Sequence, residues 1–336
     1  MPLNLGIIGA TGNVGREMVK VLEERNFPLT SLKLFADKND AGKVMEFKKE
    51  KITVEEAVEG SFKNLDILLS AVEENISRIF TPMAVREGAI VIDNSSAYRM
   101  DENVPLVIPE VNPEDIDKHK GIIASPNCTT IIALTSVAPL YRYRMIKSMV
   151  VSTYQAVSGA GAGGIPELLD GTRAYFEGRE AENKTFQHKI AFNLIPHIDD
   201  FLPNGYTKEE MKLTNEAKKI LHDKDIKINC TCVRVPVLRS HSESINLHFD
   251  EKVEVNTARE VLASAPGVYL CDDIENNVYP MPLYTQDQDD VFVGRIREDI
   301  TDEKGLTLFV CGDQLRKGAA TNAVQIAELL LKKMKI

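Results

Sequence analysis

Apolar residues fall in short, largely uninterrupted blocks along the first third of the chain, at residues 3–8, 31–36, 65–70, 89–93 and 121–125. Blocks of this length without alternation read as strands buried on both faces. Between them the spacing turns helical. Residues 16–25 bring Met18, Val19 and Leu22 to one side, and residues 76–87 do the same, although Pro82 blurs where that helix begins and ends. A further short strand is expected at 106–108. Strands alternating with helices predict a mostly parallel, doubly wound sheet.

From residue 147 the pattern changes. A long strand is expected at 148–155, then a glycine-rich turn through 164 and a helix from about 165. Residues 178–206 show no period. Thr207 and Glu210 form a capping-box signature for a helix to about 222. Runs rich in β-branched residues at 231–237 and 244–249 read as strands joined by a polar connection, 238–243. A helix at 256–264, strands at 291–298 and 306–312, and a last helix at 317–333 complete the chain. This half predicts a second, largely antiparallel sheet. A first domain is expected at 1–127 and a second at 128–316.

Composition narrows the class. The chain has 336 residues and a formal charge of −10, which argues against nucleic acid or an anionic membrane as partner. No apolar run is long enough to span a membrane, and the start lacks the features of a signal peptide. A soluble, cytoplasmic protein is expected. Five cysteines without CxxC pairs predict free thiols, no disulfide framework and no metal site. Cys230 and Cys232 share one face of a strand.

Several stretches carry candidate chemistry. Gly9-Ala-Thr-Gly-Asn-Val-Gly15 lies between a strand and a helix, the setting in which a glycine turn lets backbone approach a pyrophosphate. Its spacing is GxxGxxG rather than GxGxxG. After the second strand come Asp37, suited to a free ribose 2′-hydroxyl, and Lys38 and Lys43, suited to a 2′-phosphate; a plain mixed-charge loop is an equal reading. In Ser125-Pro-Asn-Cys-Thr-Thr130, Asn127 is placed to cap a helix whose first turn holds Cys128. A thiol there faces the positive end of the helix and gains nucleophilicity; the alternative is a small buried apolar residue. His241, in the polar connection, is the acid–base candidate. Arg234, inside an apolar strand, suits a bidentate carboxylate, and Arg99 suits phosphate. Glu216 and Lys219 share a helix face and suit the opposite charges of a zwitterion, or else form a surface ion pair.

Together these motifs resemble the bacterial branch of the aspartate-β-semialdehyde dehydrogenase family. The matching pieces are residues 9–15, 125–130, Ser152-Thr-Tyr-Gln-Ala-Val-Ser-Gly-Ala-Gly161, 234–243 and Lys317-Gly-Ala-Ala-Thr-Asn322, in family order across almost the whole chain. The resemblance implies an α/β fold, with a Rossmann-type dinucleotide-binding domain completed by the C-terminal helix at 317–336. It also implies an α+β catalytic and dimerisation domain. It makes Cys128 the nucleophile, Gln155 the amide that orients the acyl group and His241 the acid–base residue. Arg234 clamps the substrate α-carboxylate and Glu216 meets the α-ammonium, while Arg99, Asn127 and Lys219 surround the phosphate. Gly9, Thr11, Gly12, Asn13, Val14, Lys38, Ser158, Gly159 and Asn322 fall to the cofactor, expected to be NADP with NAD also used. The implied reaction takes β-aspartyl phosphate to aspartate semialdehyde and phosphate, in lysine, threonine and methionine biosynthesis, by a homodimer or dimer of dimers. N-acetyl-γ-glutamyl-phosphate reductase is the nearest alternative; a nucleotide-binding regulatory protein without turnover is another.

Overall fold

The computed structural model describes residues 3–334; residues 1–2 and 335–336, at the ends of the expected first domain, lie outside the described residues. The chain divides into two units, Met1–Asn127 with Ala319–Ile336, and Cys128–Gly318.

Unit 1 opens with β1 (Leu3–Ile8), α1 (Asn13–Glu24) and β2 (Leu29–Ala36). A hairpin of β3 (Val44–Phe47) and β4 (Glu50–Thr53) follows, then β5 (Glu55–Glu56), β6 (Ile67–Ser70), α2 (Glu74–Arg86), β7 (Ile90–Asp93) and β8 (Ile122–Ala124). The six-stranded sheet runs β5-β2-β1-β6-β7-β8, and every pairing in it is parallel. Both faces are covered, as uninterrupted apolar strands require. Leu5 and Ile7 pack with Met18 and Leu22 of α1 and with Val324, Ile326 and Leu330 of the terminal helix, Thr321–Met334. Ile8 packs the other way, with Phe35, Phe62 and Leu68. Each such buried side chain contributes about 2 kcal/mol of transfer energy. The β3–β4 hairpin had no apolar signature to announce it. The strand expected at 106–108 is only a bridge between Leu106 and Ala124.

Unit 2 contains α3 (Cys128–Tyr143), β9 (Ile146–Gln155), α4 (Gly164–Glu177), α5 (Lys208–Ile220), β10 (Lys227–Arg234), β11 (His241–Phe249) and α6 (Val255–Ala263). It ends with β12 (Val268–Leu270), α7 (Pro282–Thr285), β13 (Val291–Glu298) and β14 (Gly305–Gly312). Its sheet order is β10-β9-β11-β14-β13-β12. The central pairings are antiparallel, as expected, but both edge pairs, β10 with β9 and β12 with β13, are parallel. The helices α4 and α5 lie in the chain between β9 and β10, and such a crossover makes a parallel neighbour possible. The inner face holds a core of Ile132, Val137, Met149, Ile245, Leu308 and their neighbours. The last helix begins later than its apolar period suggested: Arg316–Ala320 forms a wide π-type turn before the α-helix starts at Thr321. Among the described residues no helix is long and apolar enough to cross a membrane.

Candidate active site

In unit 1 the chemistry lies at the carboxyl ends of the parallel strands. The strand order reverses between β1 and β6, the point where open parallel sheets bind ligands. Gly9 leaves β1 there at φ +80°, and a Cβ on it would stand 2.5 Å from the Ala71 carbonyl oxygen. Only glycine fits that conformation and that approach. Gly12 stands extended at the N-cap of α1, Asn13 starts the helix, and its first turn carries no acid to offset the positive end. Arg16 Nε donates to the Thr11 carbonyl at 2.8 Å, and Val14 packs on the core. These features make an anion cradle of the kind a pyrophosphate fills. Further along the same sheet end, the Ser70 hydroxyl and both amide atoms of Asn94 are buried without hydrogen-bond partners among the described residues.

In the loop after β2, Asp37 is engaged locally. Its Oδ1 accepts from the Asn39 N–H at 2.7 Å and the Asp40 N–H at 3.2 Å, so the carboxylate holds its own turn. Lys38 is exposed, and Lys43 pairs with Asp40. Arg99 is buried, donating from Nε to the Ser125 carbonyl at 3.0 Å and from Nη2 to the Asn94 carbonyl at 2.6 Å. Asn322 is fully buried; its amide donates to the Val107 carbonyl and the Ser125 hydroxyl, each at 3.0 Å. Asn127, buried as well, directly precedes α3.

In unit 2, Cys128 is the first residue of α3 and is partly exposed. Of the six catalytic and substrate residues placed in this unit from sequence, four, Cys128, Gln155, Arg234 and His241, are joined by contacts or charge. His241 is not in a solvated connection: it is the first residue of β11 and is completely buried. The preceding Ser240 takes φ +74° to deliver it, a strained conformation of the kind functional sites retain. The Nδ1 of His241 accepts from the Ala156 backbone N–H at 3.0 Å, and Nε2 has no hydrogen-bond partner among the described residues. Burial first, then the charge of Arg234, pushes its pKa down to about 3, against a smaller opposite pull from Glu209. The ring is therefore neutral, with its proton on Nε2.

Arg234 pairs with Gln155 across the β10–β9 ladder, and its Nη1 donates to the Ala156 carbonyl at 2.7 Å. Its guanidinium lies over the Phe186 ring and is attracted by the charges of Glu209 and Cys128. Gly159 explains the close packing of this group: a Cβ there would lie 3.0 Å from Arg234 Nη1 and 3.0 Å from His241 Cε1. Ser158, beside it, accepts from the Gln314 amide.

Gln155 is held by its neighbours. Its Oε1 accepts from the Thr153 hydroxyl at 3.0 Å, and its Nε2 donates to Glu209 Oε1 at 3.1 Å. Glu209 Oε2 in turn accepts from Lys212 at 3.0 Å, and Lys212 also donates to Asp199 at 2.8 Å. Burial opposes the charge on Lys212, but the two carboxylates outweigh it and raise its pKa. The capping box explains the placement. Thr207 accepts from the Glu210 N–H, Glu210 reaches back to the Thr207 N–H, and its other oxygen takes the Cys232 N–H at 3.0 Å. That anchors the first turn of α5 to β10.

The i,i+3 pair of α5 that is joined to Gln155 is Glu209 with Lys212, whereas the sequence pattern pointed to Glu216 with Lys219. The latter pair stands seven residues on, about 10 Å further along the helix axis. Glu216 is buried there. Glu209 and Lys212 have the same i,i+3 spacing, and the signal that marks them is the capping box, which fixes the first turn.

A parallel sheet with a dinucleotide-type turn, and a separate unit holding a thiol at a helix start with an imidazole and a buried arginine at strand ends, define a nucleotide-dependent enzyme of covalent acyl chemistry. Family models agree: "Semialdehyde dehydrogenase, NAD binding domain" matches residues 4–119 and "Semialdehyde dehydrogenase, dimerisation domain" residues 137–317. An aspartate-semialdehyde dehydrogenase of Aquifex aeolicus is 52% identical, covering 99% of each chain. The crystal structure of aspartate semialdehyde dehydrogenase II complexed with ASA from Vibrio cholerae superposes with a TM-score of 0.97 at 42% identity, over 99% of each chain. The Candida albicans enzyme with NADP gives 0.77 at 26% identity, over 100% of each. This chain belongs to the aspartate-semialdehyde dehydrogenase family.

Proposed function

We propose that this chain reduces β-aspartyl phosphate to aspartate semialdehyde and phosphate with NADP, through a thioester on Cys128, and runs the reverse reaction with phosphate. The observation that carries the reading is the convergence of Cys128, Arg234, the open Nε2 of His241 and the Gln155–Glu209–Lys212 chain within unit 2. Such a reaction supplies lysine, threonine and methionine synthesis, and we place it in the cytoplasm.

Arg234 takes the α-carboxylate, and Glu209, in place of Glu216, takes the α-ammonium. Arg99, Asn127 and Lys212, the last in place of Lys219, are the contacts assigned to the phosphate. The Cys128 thiolate attacks the acyl carbon, the bond to the phosphate oxygen breaks, and phosphate leaves with the electron pair. Gln155 orients the acyl group. The Nε2–H of His241 donates to the oxygen that becomes negative in each tetrahedral state. Collapse of the final alkoxide re-forms the thiolate without needing a proton, so a neutral donor suffices. A nicotinamide dinucleotide held by unit 1 would supply the hydride that the thioester carbon takes up. Gly9, Thr11, Gly12, Asn13 and Val14 would hold its pyrophosphate, with Ser158, Gly159 and Asn322 assigned to its other end. Lys38 suits a 2′-phosphate, and since Asp37 is committed to its own turn, it is a weak ligand for a free 2′-hydroxyl. NADP is therefore favoured, with NAD also used. The open outer face of the unit 2 sheet suits a homodimer.

The test is the oxidative reaction. Aspartate semialdehyde, NADP+ and phosphate together should give steady turnover. Without phosphate, at most one NADPH per site should form. Sustained turnover without phosphate would indicate a hydrolytic enzyme, and preference for N-acetylglutamate semialdehyde would indicate the acetylated sister reaction.

A further inference from the structure

The far edge of the unit 2 sheet holds a second concave feature. Relative to β14, β13 carries one extra residue between Gly294 and Arg297, and Arg295 sits in this bulge at φ +52°. Bulges of this kind re-aim side chains and recur beside functional sites. Here the bulge lines a cavity of about 380 Å³ with Arg295 and Arg297, while α6 contributes Arg259. Ile274, Asn277 and Tyr279 form the facing wall, at the Asp273–Val278 bridge. β13 lies three strands from β9, about 14 Å across the sheet, so this cavity is separate from Gln155 and its partners.

The charge balance of the cavity is one-sided. Three guanidiniums line it and no carboxylate does, in a chain of net charge −10. Arg259 is committed, since its Nε pairs with Asp272 at 2.8 Å and its Nη2 caps the Ile296 carbonyl. Arg297 uses one nitrogen on the Arg295 carbonyl at 2.6 Å. The Arg295 side chain makes no hydrogen bond or ion pair among the described residues. Burial and the neighbouring charge of Arg295 both lower the pKa of Arg297, against Asp299 and Asp272. Two guanidinium forks thus face one concavity with donors to spare, which is the arrangement that matches a phosphate bidentately.

We propose that this cavity binds a compact, multiply charged phosphate compound, held by Arg295 and Arg297 with Asn277 and Tyr279 as further donors. Isothermal titration of the full chain with inorganic pyrophosphate tests it. Wild type should bind with an affinity that falls steeply as salt rises. Arg99→Gln, which alters the phosphate contact assigned to the catalytic site, should bind equally well. The double variant Arg295→Gln with Arg297→Gln should lose at least tenfold in affinity and keep its kcat/KM. Both side chains are exposed, so folding is expected to survive; Tyr279→Phe offers a milder probe, with a loss of about threefold. Binding that persists in the double variant would overturn the site, and citrate binding as tightly as pyrophosphate would overturn the assignment to phosphate. So would a wild type that binds no pyrophosphate while the double variant shifts the monomer–dimer balance, since the cavity would then serve a second copy of the chain.

Discussion

The two nitrogens of His241 have different tasks, and pH should separate them. Nδ1 is occupied by the Ala156 N–H, so protonating the ring would break that bond and bury a charge beside Arg234. Its native pKa of about 3 lies below the ordinary 6.5. Below pH 6.5 the unfolded chain binds a proton that the native ring refuses. The resulting loss of stability grows as pH falls towards 3 and is absent above 6.5, with a slope of about 1.4 kcal/mol per pH unit. Urea unfolding should show wild type losing ~2 kcal/mol more than His241→Gln between pH 6.5 and pH 5. Equal losses would mean that the ring is protonated in the native state. The thiols make a second contrast at this scale. Cys230, Cys232 and Cys311 are buried; hydrogen bonding to Cys230 and burial push the Cys232 pKa up, and burial pushes Cys311 up to about 12. Burial also raises Cys271. Iodoacetamide at neutral pH should therefore label Cys128 first, with activity lost in step, and full activity in Cys128→Ala would remove the thioester mechanism.

At the scale of elements, α5 shows what a sequence can and cannot reveal. Its capping box was legible because the pattern is local. The pair joined to Gln155 was not, because Glu209 with Lys212 and Glu216 with Lys219 repeat the same spacing seven residues apart. Seven residues return to nearly the same face of a helix, so periodicity cannot choose between them. The choice is made by tertiary distance: the bond from Glu210 to the Cys232 N–H pins the first turn against β10. β11 hid its start for a related reason. Ser-His-Ser-Glu-Ser looks like a solvated turn, yet His241 and Glu243 alternate with Ile245 and Leu247 on one buried face. Polar residues that belong to a site break the apolar alternation that marks a strand. By contrast, the strand–glycine–helix unit at Gly9 and the Cys128 junction were legible, since each depends on local chain geometry. Glu209→Gln should lower kcat/KM for aspartate semialdehyde about 10- to 100-fold, in line with a charge-assisted bond of 1.5–3 kcal/mol. Glu216→Gln should lower Tm and leave kcat/KM nearly unchanged. The reverse pattern would restore Glu216 to the site.

For the whole molecule, the decisive strand is β9, because its two faces serve different ends. Its inner residues Met149 and Val151 join the core, and Gln155 ends the same face at the site. Its outer residues Val150 and Tyr154 are exposed, and Tyr154 lies against Phe309 of β14. Tyr269 and Phe292 extend this aromatic surface towards the other edge. A sheet covered by helices on one face only leaves apolar surface that a second copy can cover. If the proposed homodimer forms there, Tyr154 is buried in it, one residue from Gln155. Dimerisation would then brace the strand that aims the amide at the acyl group. Sedimentation equilibrium should give a dimer for wild type and a monomer for the double variant Val150→Glu with Tyr154→Glu. In the variant kcat should fall more than KM rises, because the substrate contacts proposed for Arg234 and Glu209 lie on β10 and α5 rather than on β9. Circular dichroism separates this result from misfolding, since the inner core is untouched. A monomeric variant with native spectrum and full kcat would show that the outer face has no part in aligning Gln155.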